Sequence, residues 1–138
     1  MKILVSGDRE WGKWTRKGPN DWTSADCQLM VSVLKQFRYG IFGDKEVPIL
    51  VHGDCRGADL MAYDIVRDWG GWGVEVFPAE WKKYGKAAGA IRNKQMLDEA
   101  KPDIVIAFHR DISKSRGTAN MIKIAKQRGI QASLYPVQ

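Results

Sequence analysis

Five short apolar runs alternate along this chain with stretches of helical periodicity, and that alternation limits what it can fold into. The runs are Lys2–Ser6, Val47–His52, Gly73–Phe77, Ile104–Phe108 and Gln131–Tyr135. Strand, helix and strand in succession make βαβ crossovers, and crossovers require parallel strands. The expected fold is therefore α/β, a Rossmann-like parallel sheet of about five strands with helices on both faces. The predicted strand order is 3-2-1-4-5. At 138 residues, with no internal repeat, low-complexity segment or linker, residues 1–138 read as one domain.

The helical stretches are marked by their stripes and their stops. Ala58, Met61, Ala62, Ile65, Val66 and Trp69 follow the spacing of one helix face, and Gly70-Gly71 ends it. Thr23 or Ser24 can cap an earlier helix bearing Leu29, Met30, Val33, Leu34 and Phe37, which stops by Gly40. A turn at Gly43–Glu46 leads into the second strand, with Pro48 near its start. A helix from about Ala87 to Ala100 carries Gly89, Asn93, Met96, Leu97 and Ala100 on one side. Asn93 is unusual on such a stripe, because a buried amide must find partners. The last helix opens at Gly117-Thr118, turns Met121, Ile122 and Ala125 inward, and ends at Gly129. Residues 7–22, 79–86 and 109–116 are polar loops.

In open parallel sheets, ligands bind beyond the strand C-termini, where the strand order reverses. Three loops leave those ends with glycine beside polar groups: after Ser6, after His52 and after Phe108. The second is the richest. Gly53-Asp54-Cys55-Arg56-Gly57 feeds the helix that starts near Ala58, and a helix start offers unpaired N–H groups and the positive end of a dipole. It reads either as a phosphate site or as a turn whose glycine permits close packing. Gly117-Thr118 offers a second helix start with a hydroxyl. Arg92, among Lys82, Lys83, Lys86 and Lys94, is either part of a solvated cationic face or a phosphate ligand. Asp59 either favours its own helix dipole or accepts hydrogen bonds from ribose hydroxyls.

Composition narrows the partners. A formal charge of +6 and a pI near 9.4 favour anions. The chain has neither the G-x-G-x-x-G fingerprint nor the Gly-Lys-Ser/Thr of a P-loop, which argues against a standard NAD enzyme or a P-loop NTPase. His52 and His109 stand alone, and Cys27 and Cys55 are far apart, so neither a metal nor another cofactor is expected. Cys55 has no evident base to activate it and reads as an inert thiol. Two thiols without a disulfide framework suit a reducing cytoplasm. No apolar run reaches membrane-spanning length, and no membrane partner is expected.

Taken in order, several segments resemble one family. They are Gly7-Asp8-Arg9, His52–Asp59, Phe77–Trp81, Tyr84–Gly89, Ile91-Arg92-Asn93 with Met96, and Arg116-Gly117-Thr118. Together they resemble the YspA-like branch of the SLOG superfamily, over essentially the whole chain. The resemblance implies a Rossmann-like domain for nucleotides or nucleotide-derived ligands, of the kind seen in phages and bacteria. The superfamily includes the LOG phosphoribohydrolases, whose pattern is an Arg-Lys-x-x-Met helix followed by Pro-Gly-Gly-x-Gly-Thr-x-x-Glu. Arg92, Met96, Gly117 and Thr118 fit that pattern. Asn93 replaces its lysine, Ser113-Lys114-Ser115 replace Pro-Gly-Gly, and Met121 stands at the glutamate. A thioether cannot do a carboxylate's acid–base work.

The expected function is binding of a nucleotide or nucleotide derivative, in a sensor, sponge or regulatory role in the cytoplasm (a host's, if phage-encoded). Gly7, Arg9, Gly53, Asp54, Arg56, Gly57, Asp59, Trp81, Arg92, Asn93, Gly117 and Thr118 are the expected site. Trp11 or Trp81 would stack on the base. The first alternative is a hydrolase of N-glycosidic bonds using Arg92 and a different carboxylate, Asp59 or Glu80. The second is binding of single-stranded nucleic acid, as in the DprA relatives of the superfamily, by a basic groove with aromatics. Relatives in the superfamily commonly form dimers, and a homo-oligomer fits the tryptophan-rich surface.

Overall fold

The computed structural model describes residues 1–14, 22–38 and 46–138. The stop at Gly40, most of the turn before Glu46, and residues 15–21 of the first loop lie outside the described residues. Five strands form one parallel sheet in the order β3-β2-β1-β4-β5, as the alternation of runs and helices predicts. They are β1 (Lys2–Gly7), β2 (Ile49–His52), β3 (Gly73–Val76), β4 (Ile104–Phe108) and β5 (Gln131–Tyr135).

Side-chain alternation gives the central strands two buried faces. Ile3, Val5, Leu50 and Ile106 point to the face covered by α1 (Ala25–Leu34) and α2 (Ala58–Trp69), where they meet Met30, Leu34, Met61 and Ile65. Leu4, Val51 and Val105 point the other way. There they meet Met96, Leu97, Met121 and Ala125 from the segment of α4 (Ala88–Gln95) and from α5 (Gly117–Gln127). Ile3, Leu4 and Val5 have no exposed surface. Each such side chain contributes roughly 1.5–3 kcal/mol by leaving water.

The helix ends follow their local chemistry. Ser24 caps α1 by accepting the Cys27 N–H at 3.2 Å. At the end of α2, Gly70 adopts φ +71° and bonds back to the Val66 carbonyl. The predicted helix to Ala100 is continuous in direction but not in type, since Met96–Ala100 form a π-helical turn after α4. The expected loop at 79–86 is largely helical: α3 (Trp81–Tyr84) is followed by a 3-10 turn at Gly85–Ala87. The second strand begins at Ile49, two residues later than predicted. Pro48 has no N–H to give the ladder, and only its carbonyl pairs, with Gly73 at 2.9 Å.

One junction positions the site. The Asp8 N–H bonds the Phe108 carbonyl at 2.8 Å, and the Ala58 N–H bonds the Asp8 carbonyl at 3.0 Å. The ends of β1 and β4 and the start of α2 are thereby pinned together. Gly7 sits inside this knot, where a Cβ would collide with the Phe108 carbonyl and the Ala58 methyl. Among the described residues no helix is long and apolar enough to cross a membrane.

Candidate functional site

Because all five strands are parallel, the loops after β1, β2 and β4 leave the same edge of the sheet. With α3, α4 and the start of α5 they enclose a cavity of about 680 Å³, a size suited to a small-molecule ligand. Six cationic side chains face it: Arg9, Arg56, Lys86, Arg92, Lys114 and Arg116. Three carboxylates oppose them, Asp8, Glu10 and Asp59, and Glu10 is already paired with Arg56 at 2.6 Å.

The structure brings nine of the expected site residues to this cavity: Gly7, Arg9, Arg56, Asp59, Trp81, Arg92, Asn93, Gly117 and Thr118. Gly53, Asp54, Gly57 and Glu80 are not among the residues that line it. The reason at Gly53–Gly57 lies in the backbone. Asp59 Oδ2 accepts the N–H groups of Gly53 at 2.9 Å and Cys55 at 3.3 Å. His52 Nδ1 accepts that of Asp54 at 3.0 Å, and the Gly57 N–H bonds the Trp14 carbonyl at 2.8 Å. The protein's own groups thus occupy most donors of this turn. Gly57, at φ +82°, lets the turn pass against the Asp8 and Arg9 backbone.

Asp59 is 5% exposed, yet it borders the cavity. Burial lifts its carboxyl from the ordinary 3.8 to about 6, against the pull of the Arg92 guanidinium and the two backbone N–H groups. Such a carboxyl can give or take a proton near neutrality.

Arg92 is equally enclosed, at 9% exposure. Its Nη1 donates to the Gly53 carbonyl at 2.6 Å and its Nε to Asn93 Oδ1 at 3.2 Å. Only Nη2 keeps no better acceptor than the Cys55 sulfur at 3.8 Å. Two of the three guanidinium nitrogens therefore build the wall, and a bidentate grip on an external anion would require one of them to let go. Asn93, 2% exposed, donates from Nδ2 to the Gly117 carbonyl and to Asn120 Oδ1, both at 3.1 Å.

The start of α5 opens on the same space with no acidic residue in its first turn. Here Ser115 Oγ takes the Thr118 N–H at 3.0 Å, and Lys114 and Arg116 flank it. At the mouth, Trp81 is 45% exposed with the Arg9 guanidinium 5.2 Å above its ring. Trp11 is not at the mouth. It is 1% exposed and packs on Phe108 with ring centroids 5.5 Å apart, so it belongs to the core.

Sequence reasoning missed Asp8 and His109. His109 is 8% exposed and follows β4 directly. Its Nδ1 accepts the Asp111 N–H at 3.1 Å, so the neutral ring carries its proton on Nε2, which lies 4.0 Å from Asp8 Oδ2. Position immediately after a strand was the available signal. Met121, at the LOG glutamate position, is fully buried in the α4–α5 core, whereas its neighbour Asn120 lines the cavity.

Fold and site define a Rossmann-like α/β protein with a basic cavity at the C-terminal edge of its sheet. The chain belongs to the family of the Gene 61 protein of Mycobacterium phage D29, to which it is 30% identical over 138 residues, 94% of this chain and 91% of that protein. No protein-family model matches the chain. No solved structure gives a significant match.

Proposed function

We propose that this protein binds a nucleotide or nucleotide-derived ligand, with the phosphate toward the start of α5 and the base toward Trp81. The observation that carries the reading is the cavity itself: about 680 Å³, with six cationic side chains against three carboxylates. The resemblance to the YspA-like branch of the SLOG superfamily supports it, and the role would be that of a sensor, sponge or regulator, in a host's cytoplasm if the protein is phage-encoded. A second reading, a nucleotide-processing hydrolase, is favoured by one feature. Asp59 has a carboxyl lifted to about 6 at the edge of the cavity, where it could serve as an acid or base.

A thermal-shift and calorimetric screen over nucleoside monophosphates, cyclic dinucleotides and ADP-ribose tests the binding reading, since a ligand of the native state raises its stability. Arg116 is exposed and faces the cavity, so Arg116→Ala should weaken binding about tenfold and leave the denaturant midpoint in place. Arg92→Ala is a poorer probe, because it also strips the wall of two hydrogen bonds. Absence of binding across the panel would refute the reading. Release of free base, lost in Asp59→Asn, would replace it with the hydrolase. Affinity for polynucleotides alone, falling steeply with salt, would point to nucleic acid instead.

A further inference from the structure

We propose that Asn120 is a specificity-determining residue of the cavity, locked so that its Nδ2 faces the ligand and selects a hydrogen-bond acceptor there. The assignment rests on the reading above only in taking that acceptor to be a phosphoryl oxygen.

The orientation follows from a chain of hydrogen bonds with one fixed end. A guanidinium only donates, so Arg92 Nε requires an acceptor, which Asn93 supplies through Oδ1 at 3.2 Å. The Asn93 amide must then turn Nδ2 toward α5, and there it meets two acceptors, the Gly117 carbonyl and Asn120 Oδ1. Flipping Asn93 would set donor against donor at Arg92 and acceptor against acceptor at Gly117. With Asn93 2% and Arg92 9% exposed, water is poorly placed to repair the mismatch at Arg92. Asn120 therefore presents its oxygen to Asn93. Its nitrogen is left over, and no hydrogen bond joins it to any acceptor among the described residues. Asn120 lines the cavity beside Arg116, Gly117 and Thr118. A buried arginine thus dictates, through two amides, that this part of the site offers donors.

Asparagine and aspartate are nearly isosteric, and an aspartate at this position could still accept from Asn93 Nδ2. Its second oxygen would face the ligand as a charged acceptor. Asn120→Asp therefore reverses the polarity of the contact while preserving the wall, and Asn120→Ala removes the contact together with the Oδ1 acceptor, leaving Asn93 Nδ2 on the Gly117 carbonyl.

Inorganic phosphate is the primary probe, titrated at pH 8 into wild type and both variants after their denaturant midpoints have been compared. Asn120→Ala should weaken phosphate binding about tenfold and Asn120→Asp about a hundredfold, because the latter also adds repulsion. In isotope-labelled wild type, the Asn120 side-chain amide signals should move saturably with phosphate. Those of Asn93, whose Nδ2 already donates to the Gly117 carbonyl and to Asn120 Oδ1, should move far less. The assignment is overturned if wild type binds no phosphate or if Asn120→Asp binds it as well as wild type does. It is equally overturned if the Asn93 amide responds while that of Asn120 stays still. Adenosine 5′-monophosphate and adenosine form a separate arm. Should the monophosphate bind no better than phosphate itself, the nucleotide reading fails while the role of Asn120 stands.

Discussion

Replacing Asp59 by asparagine should change how stability depends on pH, in a direction set by the burial of this carboxyl. In the folded protein it titrates near 6 rather than at the ordinary 3.8, because desolvation outweighs the attraction of Arg92 and the two backbone donors. The native state therefore holds this proton more tightly than the unfolded chain does. Its stabilising contribution is complete below the unfolded value, shrinks as the pH rises, and is gone above the folded value. The gap between 3.8 and about 6, at roughly 1.4 kcal/mol per pH unit, corresponds to about 3 kcal/mol. Asparagine does not titrate, and its oxygen can still accept the Gly53 and Cys55 N–H groups that Oδ2 accepts now. Other titrating groups are common to both proteins and largely cancel in the comparison. The unfolding free energy of Asp59→Asn minus that of wild type should thus increase by about 2 kcal/mol between about pH 4 and pH 7, the larger part of that gap. Urea titrations followed by tryptophan fluorescence at closely spaced pH values give that difference directly. A difference that stays flat, or falls with rising pH, would mean that Arg92 and the backbone donors win over desolvation, and the reasoning would be refuted.

Asn93→Ala leaves the buried Arg92 Nε without its acceptor and takes the donor from the part-buried Gly117 carbonyl, and should lower stability by about 1–3 kcal/mol. An unchanged denaturant midpoint would contradict that account of Asn93. Met121→Glu places a carboxylate on a fully buried α5 position rather than in the cavity, so it should cost several kcal/mol, on the order of 3 or more, and confer no hydrolysis. A folded variant of wild-type stability that releases base from nucleoside monophosphates would place that side chain in the site after all.

The fold was legible because its signals are local and repeated. Ile104–Phe108 and Gln131–Tyr135 form strands at the predicted residues, and the strand order follows from parallel crossovers. What escaped depends on packing rather than period. Trp81–Tyr84 is a single helical turn, too short to show a stripe, so it read as loop. Trp11 lies in a polar stretch and looked like a base-stacking residue, but the Phe108 ring and the core claim it. At the site, composition identified the right loops and the cationic character, while the sequence was silent on what each backbone donor meets. Gly53 and Cys55 spend theirs on Asp59, six and four residues further along. His109 looked isolated because its counterpart Asp8 is remote in sequence and reaches it only through the pairing of β1 with β4.

The two helix starts at this edge of the sheet look alike in sequence, and the structure separates them by charge. α2 carries Asp59 in its first turn, and that carboxyl already sits on the N–H groups an external anion would want. A phosphate brought there would have to displace an internal carboxylate tethered at no entropic cost, and would meet its repulsion whenever it is ionised. α5 has no acidic residue in its first turn, and Lys114 and Arg116 stand beside it. Any attraction between an anion and the dipole is therefore unopposed at α5 and cancelled at α2. Arg92 and Asn93 join the two ends: one bonds the Gly53 carbonyl of the first loop, the other the Gly117 carbonyl of the last. A ligand spanning this cavity would thus meet donors at the α5 end and an acceptor carboxyl at the α2 end. That polarity suits a molecule with an anionic group on one side and hydroxyl or amine donors on the other.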